Sequence, residues 1–277
     1  MPDTTAHSSV TALLPAWQAA DFIQATLDSL SAQTWPAFQV MVSVDLCDDD
    51  TLDICRRHAA ADRRFRVLAQ DQRLGYVGNC NALLRSADSD YVMFAFHDDV
   101  LAPTCVSRLA ETLDCHSEAV MCFPDMTVTD VDGTKEHCTF AALDGERQRL
   151  RRGMTMLQLT KNWWVPNRGL FRLATAQAVG GLKTHGAGEF SADLPWLFAL
   201  SLAGEFVRVP ETLCFKYYKP GSLSRTWAFS KHQNHEVLAA CMRELWDAAI
   251  PTAEKVALAA PLLTWLVRNA PEAQPNA

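Results

Sequence analysis

Two aspartates in succession close an apolar stretch: Tyr91 to Phe96 runs straight into His97-Asp98-Asp99. Adjacent carboxylates at such a point repel each other, and the pair is costly unless a cation compensates. Magnesium and manganese favour oxygen donors and are usually held by one or two carboxylates together with substrate phosphates. The plainer role for Asp98 and Asp99 is to shape the turn before Pro103. Trp17 and Asp45 likewise follow apolar runs, and Asp193 heads a long apolar helix that its side chain can cap.

The elements that must position these residues alternate along the first half. Val10 to Pro15 reads as a buried strand. Asp21 stands as an N-cap, with Gln24 behind it, before a helical face of Ile23, Leu27 and Leu30. Phe38 to Val44 is a second strand, and Asp50 caps a helix from Thr51 to about Ala60. Phe65 to Ala69 is a strand, Asn79 to Ser86 a helix and Tyr91 to Phe96 another strand. Pro103 opens a helix ending near Cys115, before a strand at Val120 to Phe123. Strands separated by helices of this length predict an α/β fold, a mostly parallel sheet with helices on both faces. Ligands of such sheets bind beyond the carboxyl ends of the strands, where Trp17, Asp45, Asp98 and Asp99 lie.

The second half is less regular. Asp132-Gly133 marks a hairpin turn, Ala192 to Ala203 a strong helix, and Phe206 to Val209 and Leu213 to Tyr218 two strands. From His232 onward the chain reads as two helices divided at Pro251, with a disordered tail after Pro271. The predicted organisation is one domain over 1–230, in halves 1–124 and 125–230, and a C-terminal helical extension over 231–277.

A chain of 277 residues buries a sizeable core. Its formal net charge of −7 argues against a partner held by nucleic-acid phosphates. That charge says little against a single nucleotide, because one metal ion reverses the local sign. Nine cysteines without a CxxC pair or zinc spacing fit a reduced, cytoplasmic setting. No basic region followed by an apolar core opens the chain, so no secretory signal is expected. No stretch reaches the roughly 18 apolar residues that span a bilayer. Val256 to Val267, broken by Pro261, reads as a core-packing helix or, more sharply, as a peripheral contact with the inner face of a membrane. Arg149, Arg151 and Arg152 read as a solvated face.

From about Val10 to about Ser224 the order of these pieces resembles the family 2 glycosyltransferases. VTALLPAWQAADFIQATLDSLSAQTWPAFQVMVSVDLCDDDT is similar to that family's nucleotide-binding start. GYVGNCNALLRSADSDYVMFAFHDDVLAP resembles the next block, which closes on the aspartate motif usually written DxD. NRGLFRLATAQAVGG and EFSADLPWLFALSLAGEFVRVPETL resemble, more loosely, the acceptor region and its Glu-Asp motif. The resemblance implies a GT-A fold, with 1–124 binding a nucleotide diphosphate sugar and 125–230 the acceptor. It implies inverting transfer to a hydroxyl of a glycan or lipid-linked acceptor in surface-glycan synthesis, assisted by Mn2+ or Mg2+.

Roles follow for the matching residues. Trp17 would stack on the donor base and Asp45 would hydrogen-bond it. A carboxylate accepts a uracil or thymine N–H, which favours uridine or thymidine donors. Asp98 would approach the ribose or the metal shell, Asp99 would ligate the metal, and Asp193 would be the general base. Helix N-termini at the strand tips would add donors to the phosphates. The glycines from Gly180 to Gly188 would let a lid close.

The chain also departs from the family pattern. Phe96 replaces the first aspartate of the longer motif, Cys80 an arginine before Asn81, and Ala192 the glutamate of the Glu-Asp pair, with Glu189 a turn earlier. Lys219 stands where many members place a histidine, and it can contact a phosphate directly. Trp163, Trp164, Trp196 and Trp227 either stack on acceptor sugars or pack the core. These departures leave a rival: a non-catalytic nucleotide-sugar-binding protein that retains the fold. Retention of Asp98, Asp99 and Asp193 favours the enzyme.

Overall fold

A computed structural model describes residues 7–219 and 222–270, so the expected disordered tail lies outside the described residues. In chain order the first half runs β1 (Val10–Ala16), α1 (Ile23–Ser31), β2 (Phe38–Val44), α2 (Thr51–Ala61), β3 (Phe65–Ala69), α3 (Gly75–Ser86) and β4 (Tyr91–Phe94). Then come β5 (Asp99–Leu101), α4 (Cys105–Cys115), β6 (Ala119–Thr129), β7 (Lys135–Cys138), α5 (Arg149–Leu157), β8 (Leu170–Arg172) and α6 (Leu173–Ala178). The chain continues with α7 (Asp193–Ala203), β9 (Glu205–Tyr217), α8 (Lys231–Asp247) and α9 (Thr252–Arg268).

One sheet runs in the order β3-β2-β1-β4-β8-β6-β9-β5, with β7 beside β6. The strands β3, β2, β1, β4, β6 and β9 share one direction, and β8, β5 and β7 oppose it. Every residue of β1 is buried, as an interior strand of a sheet covered on both faces requires. The chain therefore has the expected α/β architecture with a mostly parallel sheet.

Several boundaries differ for identifiable reasons. The two strands expected near Phe206 and Leu213 are one, β9, which pairs along a β6 much longer than its apolar run and absorbs register shifts around Pro124 and Asp125. Asp21 and Asp50 cap nothing with their side chains. Instead Asp49 accepts from the amides of Ala20 (2.9 Å) and Thr51 (3.2 Å), fastening the turn after β1 to the turn after β2. The β4 strand stops at Phe94, so Asp98 and Asp99 stand across a bend at the start of β5.

At the other end, α7 is buried along nearly its whole length and packs against α5 and α8. Gly153 permits the closeness, since a Cβ there would lie 3.0 Å from Leu202 and 3.2 Å from Leu258. Of the basic run only Arg151 forms a solvated face. Arg152 is buried and donates to the carbonyl of Ser201 at 2.8 Å, while Arg149 donates to that of Leu202 at 3.0 Å. Both satisfy carbonyls at the C-terminal end of α7, which helix ends otherwise leave unpaired. A capping box of Ser230 and Gln233 opens α8. Pro261 does not break α9, which continues through it and buries Leu258, Ala259 and Leu262. Among the described residues no helix is long and apolar enough to cross a membrane.

Candidate active site

A cleft of about 1030 Å³ opens past the carboxyl ends of β1, β2 and β4. Trp17, Asp45, Asp98, Asp193 and Lys219 all line it; Asp99 does not. Residues far apart in sequence thus meet at the strand tips.

At one end the Arg73 guanidinium lies 3.6 Å from the centre of the half-exposed Trp17 ring. Arg73 also donates to Asp45 Oδ2 at 2.9 Å. The same oxygen accepts from the Gly75 amide at 2.9 Å, and Oδ1 accepts from the amides of Leu74 (2.7 Å) and Leu46 (3.1 Å). A carboxylate offers about four acceptor positions, so Asp45 is fully engaged within the protein. Glu189 accepts from Val77 N–H at 2.8 Å. Together Asp45 and Glu189 stabilise the first turn of α3, which is why that helix begins a turn earlier than its apolar pattern. Gly75 takes φ +75° at this corner, and a Cβ there would meet the Glu189 carboxylate at 2.6 Å. These α3 amides are not free for phosphate, contrary to expectation.

The middle of the cleft is a knot of opposite charges. Lys216 Nζ sits 2.6 Å from Asp98 Oδ2 and 3.7 Å from Asp99 Oδ1. Arg168 Nε donates to Asp99 Oδ2 at 3.0 Å. The Arg168 guanidinium also lies 4.4 Å from the ring centre of Phe96, the residue that replaces the family's first aspartate. Burial would push the Asp98 carboxyl up, but Lys216, His97 and Arg168 outweigh it and hold it below the usual carboxylate range. Burial would lower the Arg168 guanidinium, yet Asp99 and its neighbours raise it.

The expected Mn2+ or Mg2+ can be tested against this donor set. Of the two carboxylates meant to hold it, one is turned away from the cleft onto Arg168. The other is paired to a lysine ammonium, and His97 Nδ1 is spent on the carbonyl of Pro15 at 3.1 Å. Among the described residues no three His, Cys, Asp or Glu groups converge as a metal set. A divalent cation would have to expel Lys216 and sit beside Arg168, so the residues present do not fit it. Asp99 Oδ2 pairs with Arg168, and its Oδ1 is buried without a hydrogen-bond partner among the described residues.

Asp193 opens α7 with its carboxylate on the cleft and accepts from Asn167 Nδ2 at 3.3 Å. The backbone amides of Asp193 itself and of Leu194, at the start of the helix, also face the carboxylate, so a helix-start contact and the cleft position coincide in one side chain. Burial raises the Asp193 carboxyl above the usual range, with Arg168 and Asn167 pulling the other way. A carboxylate with a raised proton affinity is a stronger base once ionised.

The opposite wall is aromatic. Trp163, Trp164, Trp227, Phe229 and Tyr218 line it. Trp196 does not; it is buried against Phe94 and Phe171 at ring separations of 5.5 and 4.8 Å. Among the described residues five non-glycine residues adopt positive φ, namely Gln18, Leu159, Asn162, Ser191 and Phe229, and all five line the cleft. The stretch from Gly180 to Gly188 is tied down at both ends. Asn81 bonds the amide (3.0 Å) and carbonyl (2.7 Å) of Leu182, Lys183 pairs with Glu244 at 2.7 Å, and His185 Nε2 is 2.7 Å from the carbonyl of Phe190.

Sequence reasoning missed Arg73, Arg168 and Lys216. Asn167-Arg168 opened a block singled out by resemblance, and Lys216 was a lone charge inside an apolar strand, which was the available signal.

A sheet of this order with its cleft at the strand tips is the GT-A architecture of sugar transferases. Solved structures share it: TarS of S. aureus in complex with UDP-GlcNAc superposes with a TM-score of 0.71 at 18% identity, over 93% of this chain and 72% of that one. The mannosyltransferase PcManGT from Pyrobaculum calidifontis, in complex with GDP-Man and Mn2+, gives 0.62 at 16% identity, over 98% of this chain and 75% of that one. The chain belongs to glycosyl transferase family 2, whose profile matches residues 11–171, more than half of its length. It is 26% identical over 152 residues to EpsH of Bacillus subtilis. That match takes in 50% of this chain and 44% of EpsH, less than half of the relative's own length.

Proposed function

We propose that this chain is an inverting glycosyltransferase that moves a sugar from a uridine or thymidine diphosphate to an acceptor hydroxyl during surface-glycan synthesis. The observation that carries the reading is Asp193: a cleft-facing carboxylate of raised proton affinity, opposite a cationic floor, in one cavity large enough for donor and acceptor together. In the proposed step the acceptor oxygen attacks the anomeric carbon from the side opposite the diphosphate. Its proton passes to Asp193 as the new C–O bond forms. The bond to the diphosphate breaks, and its electron pair leaves on the phosphate oxygen.

At the base end, Trp17 supplies the stacking face. A base between Trp17 and Arg73 needs about twice the ~3.5 Å contact distance of two carbon planes, so Arg73 must lift from its present 3.6 Å. Lifting Arg73 also frees one acceptor position on Asp45 for a pyrimidine N–H. Calorimetry with UDP, dTDP, GDP and ADP should show the two pyrimidine nucleotides binding about tenfold or more tighter, as one well-made hydrogen bond allows. Equal or tighter purine binding would refute the base assignment. Sugar transfer or donor hydrolysis by the purified chain separates this reading from a binding protein that has lost activity.

The nine unpaired thiols support a reducing, cytoplasmic setting. A lipid-linked acceptor would bring the chain to a membrane surface, and α9 offers a contact there, because Val256, Leu263 and Val267 are 58%, 56% and 76% exposed on one stripe of the helix. Cell fractionation should place part of the protein with membranes and lose that part when the three residues become serine. A wholly soluble wild type would remove this contact.

A further inference from the structure

We propose that Lys216, with Lys219 beside it, takes the donor diphosphate directly, so that binding needs no divalent cation. The inference rests on the nucleotide-sugar reading above and concerns how that site meets charge.

Two adjacent carboxylates ordinarily need a cation, and here the cation is part of the chain. Register does it: antiparallel pairing of β5 with β9 sets Lys216 opposite Asp99. From there its ammonium reaches both aspartates, at 2.6 and 3.7 Å. Arg168 supplies the second positive charge, behind Asp99. The pair is thereby neutral before any ligand arrives, and a third cation remains. Lys219 lines the same cleft, its ammonium facing the rings of Phe22 (5.5 Å) and Tyr217 (5.8 Å) rather than a carboxylate. Although Asp99 Oδ1 accepts no hydrogen bond, the two cations beside the pair make it attract a metal ion far less than bare carboxylates would, and the Phe96 ring under Arg168 offers no oxygen where a further ligand would stand. A diphosphate is a better exchange partner for Lys216 than Asp98 is, since it brings more charge and more acceptor oxygens.

The test is UDP binding by calorimetry to the full chain, in EDTA and in excess Mn2+, for wild type, Lys216→Met, Lys216→Arg and Lys219→Met. Wild-type affinity should agree within about twofold between EDTA and Mn2+, well inside the tenfold that 1.4 kcal/mol represents. Lys216→Met should weaken UDP roughly 10- to 100-fold in EDTA, the cost of a lost charged hydrogen bond, and Lys216→Arg should restore most of it. The freed aspartates should then make Lys216→Met respond to Mn2+ where wild type does not. If Lys216→Met fails to fold, the wild-type pair of titrations and Lys219→Met, whose side chain carries no ion pair among the described residues, still decide. UDP binding abolished by EDTA and restored by Mn2+ would overturn the inference and leave the transferase reading standing. Wild-type affinity in Lys216→Met and Lys219→Met would also overturn it. No binding of UDP, dTDP, GDP or ADP in either buffer would overturn both.

Discussion

Asp193→Asn should lower turnover by at least about 100-fold, and up to 10,000-fold, while donor affinity changes little. The amide keeps the size of the side chain and its contact with Asn167, and removes only the ability to take a proton. Stability should move the other way. The buried Asp193 carboxyl titrates above the usual carboxylate range. A folded-state value above the unfolded one means that the folded chain holds the extra proton. Stability therefore falls as pH rises from the unfolded value through the folded one. Above the folded-state value that loss is complete, and there Asp193→Asn should match or exceed the wild-type Tm. The wild-type pH profile of kcat/KM should show an acidic limb above the ordinary aspartate value, absent from the variant. Near-normal turnover in Asp193→Asn would end the general-base assignment.

The second large effect is on folding. Arg168 is buried with its Nε 3.0 Å from Asp99, whose side chain is almost wholly enclosed. Arg168→Met keeps the volume and strands Asp99 without that partner, which costs about 3–5 kcal/mol when a buried pair is broken from one side. For a chain of this size the Tm should drop by roughly 6–20 °C. The double variant Arg168→Met/Asp99→Asn should recover a large part, because no buried charge is left unmatched. A drop in Arg168→Met of no more than a degree or two would show that the pair does not hold the cleft floor. Asp99→Asn alone should also destabilise, rather than spare the fold as a simple metal ligand would. Where Arg168→Met remains folded, the acidic limb of kcat/KM should shift further upward, since Arg168 opposes the rise caused by burial.

The parts of this molecule that local pattern dictates were legible in the residues. The strands β2 and β3 begin and end where their apolar runs do, and parallel topology puts Trp17, Asp45 and Asp98 on one cleft because it puts strand tips together. What could not be read depends on partners distant in sequence. Asp45 is a saturated acceptor only because α3 starts at Gly75 and Arg73 folds back over Trp17. The partner of Asp98 is set by a strand register more than a hundred residues away, and no spacing rule announces it. Asp99 and Asp98 are neighbours in the chain, yet the bend between β4 and β5 sends one to the cleft and the other to Arg168. The solvated reading of Arg149 and Arg152 failed for a similar reason: their acceptors are carbonyls of α7, formed only once the helices pack.

The five left-handed residues around the cleft set what laboratory evolution would find there. Left-handed backbone costs a side-chain-bearing residue about 1–2 kcal/mol, and glycine would relieve it. Glycine also gives the unfolded chain more freedom, by about 0.4–1 kcal/mol, and gives up contacts such as those of Phe229 with Phe190 and Trp227 and of Asn162 with the Thr139 carbonyl, so the effects largely offset. Screens that rank variants by heat resistance would pass over Gln18, Leu159, Asn162, Ser191 and Phe229 as nearly silent. Screens that rank them by what enters the cleft would not, because a glycine rim no longer holds its neighbours in one pose. New ligand preferences can therefore be bred at these positions while the sheet beneath them stays as it is.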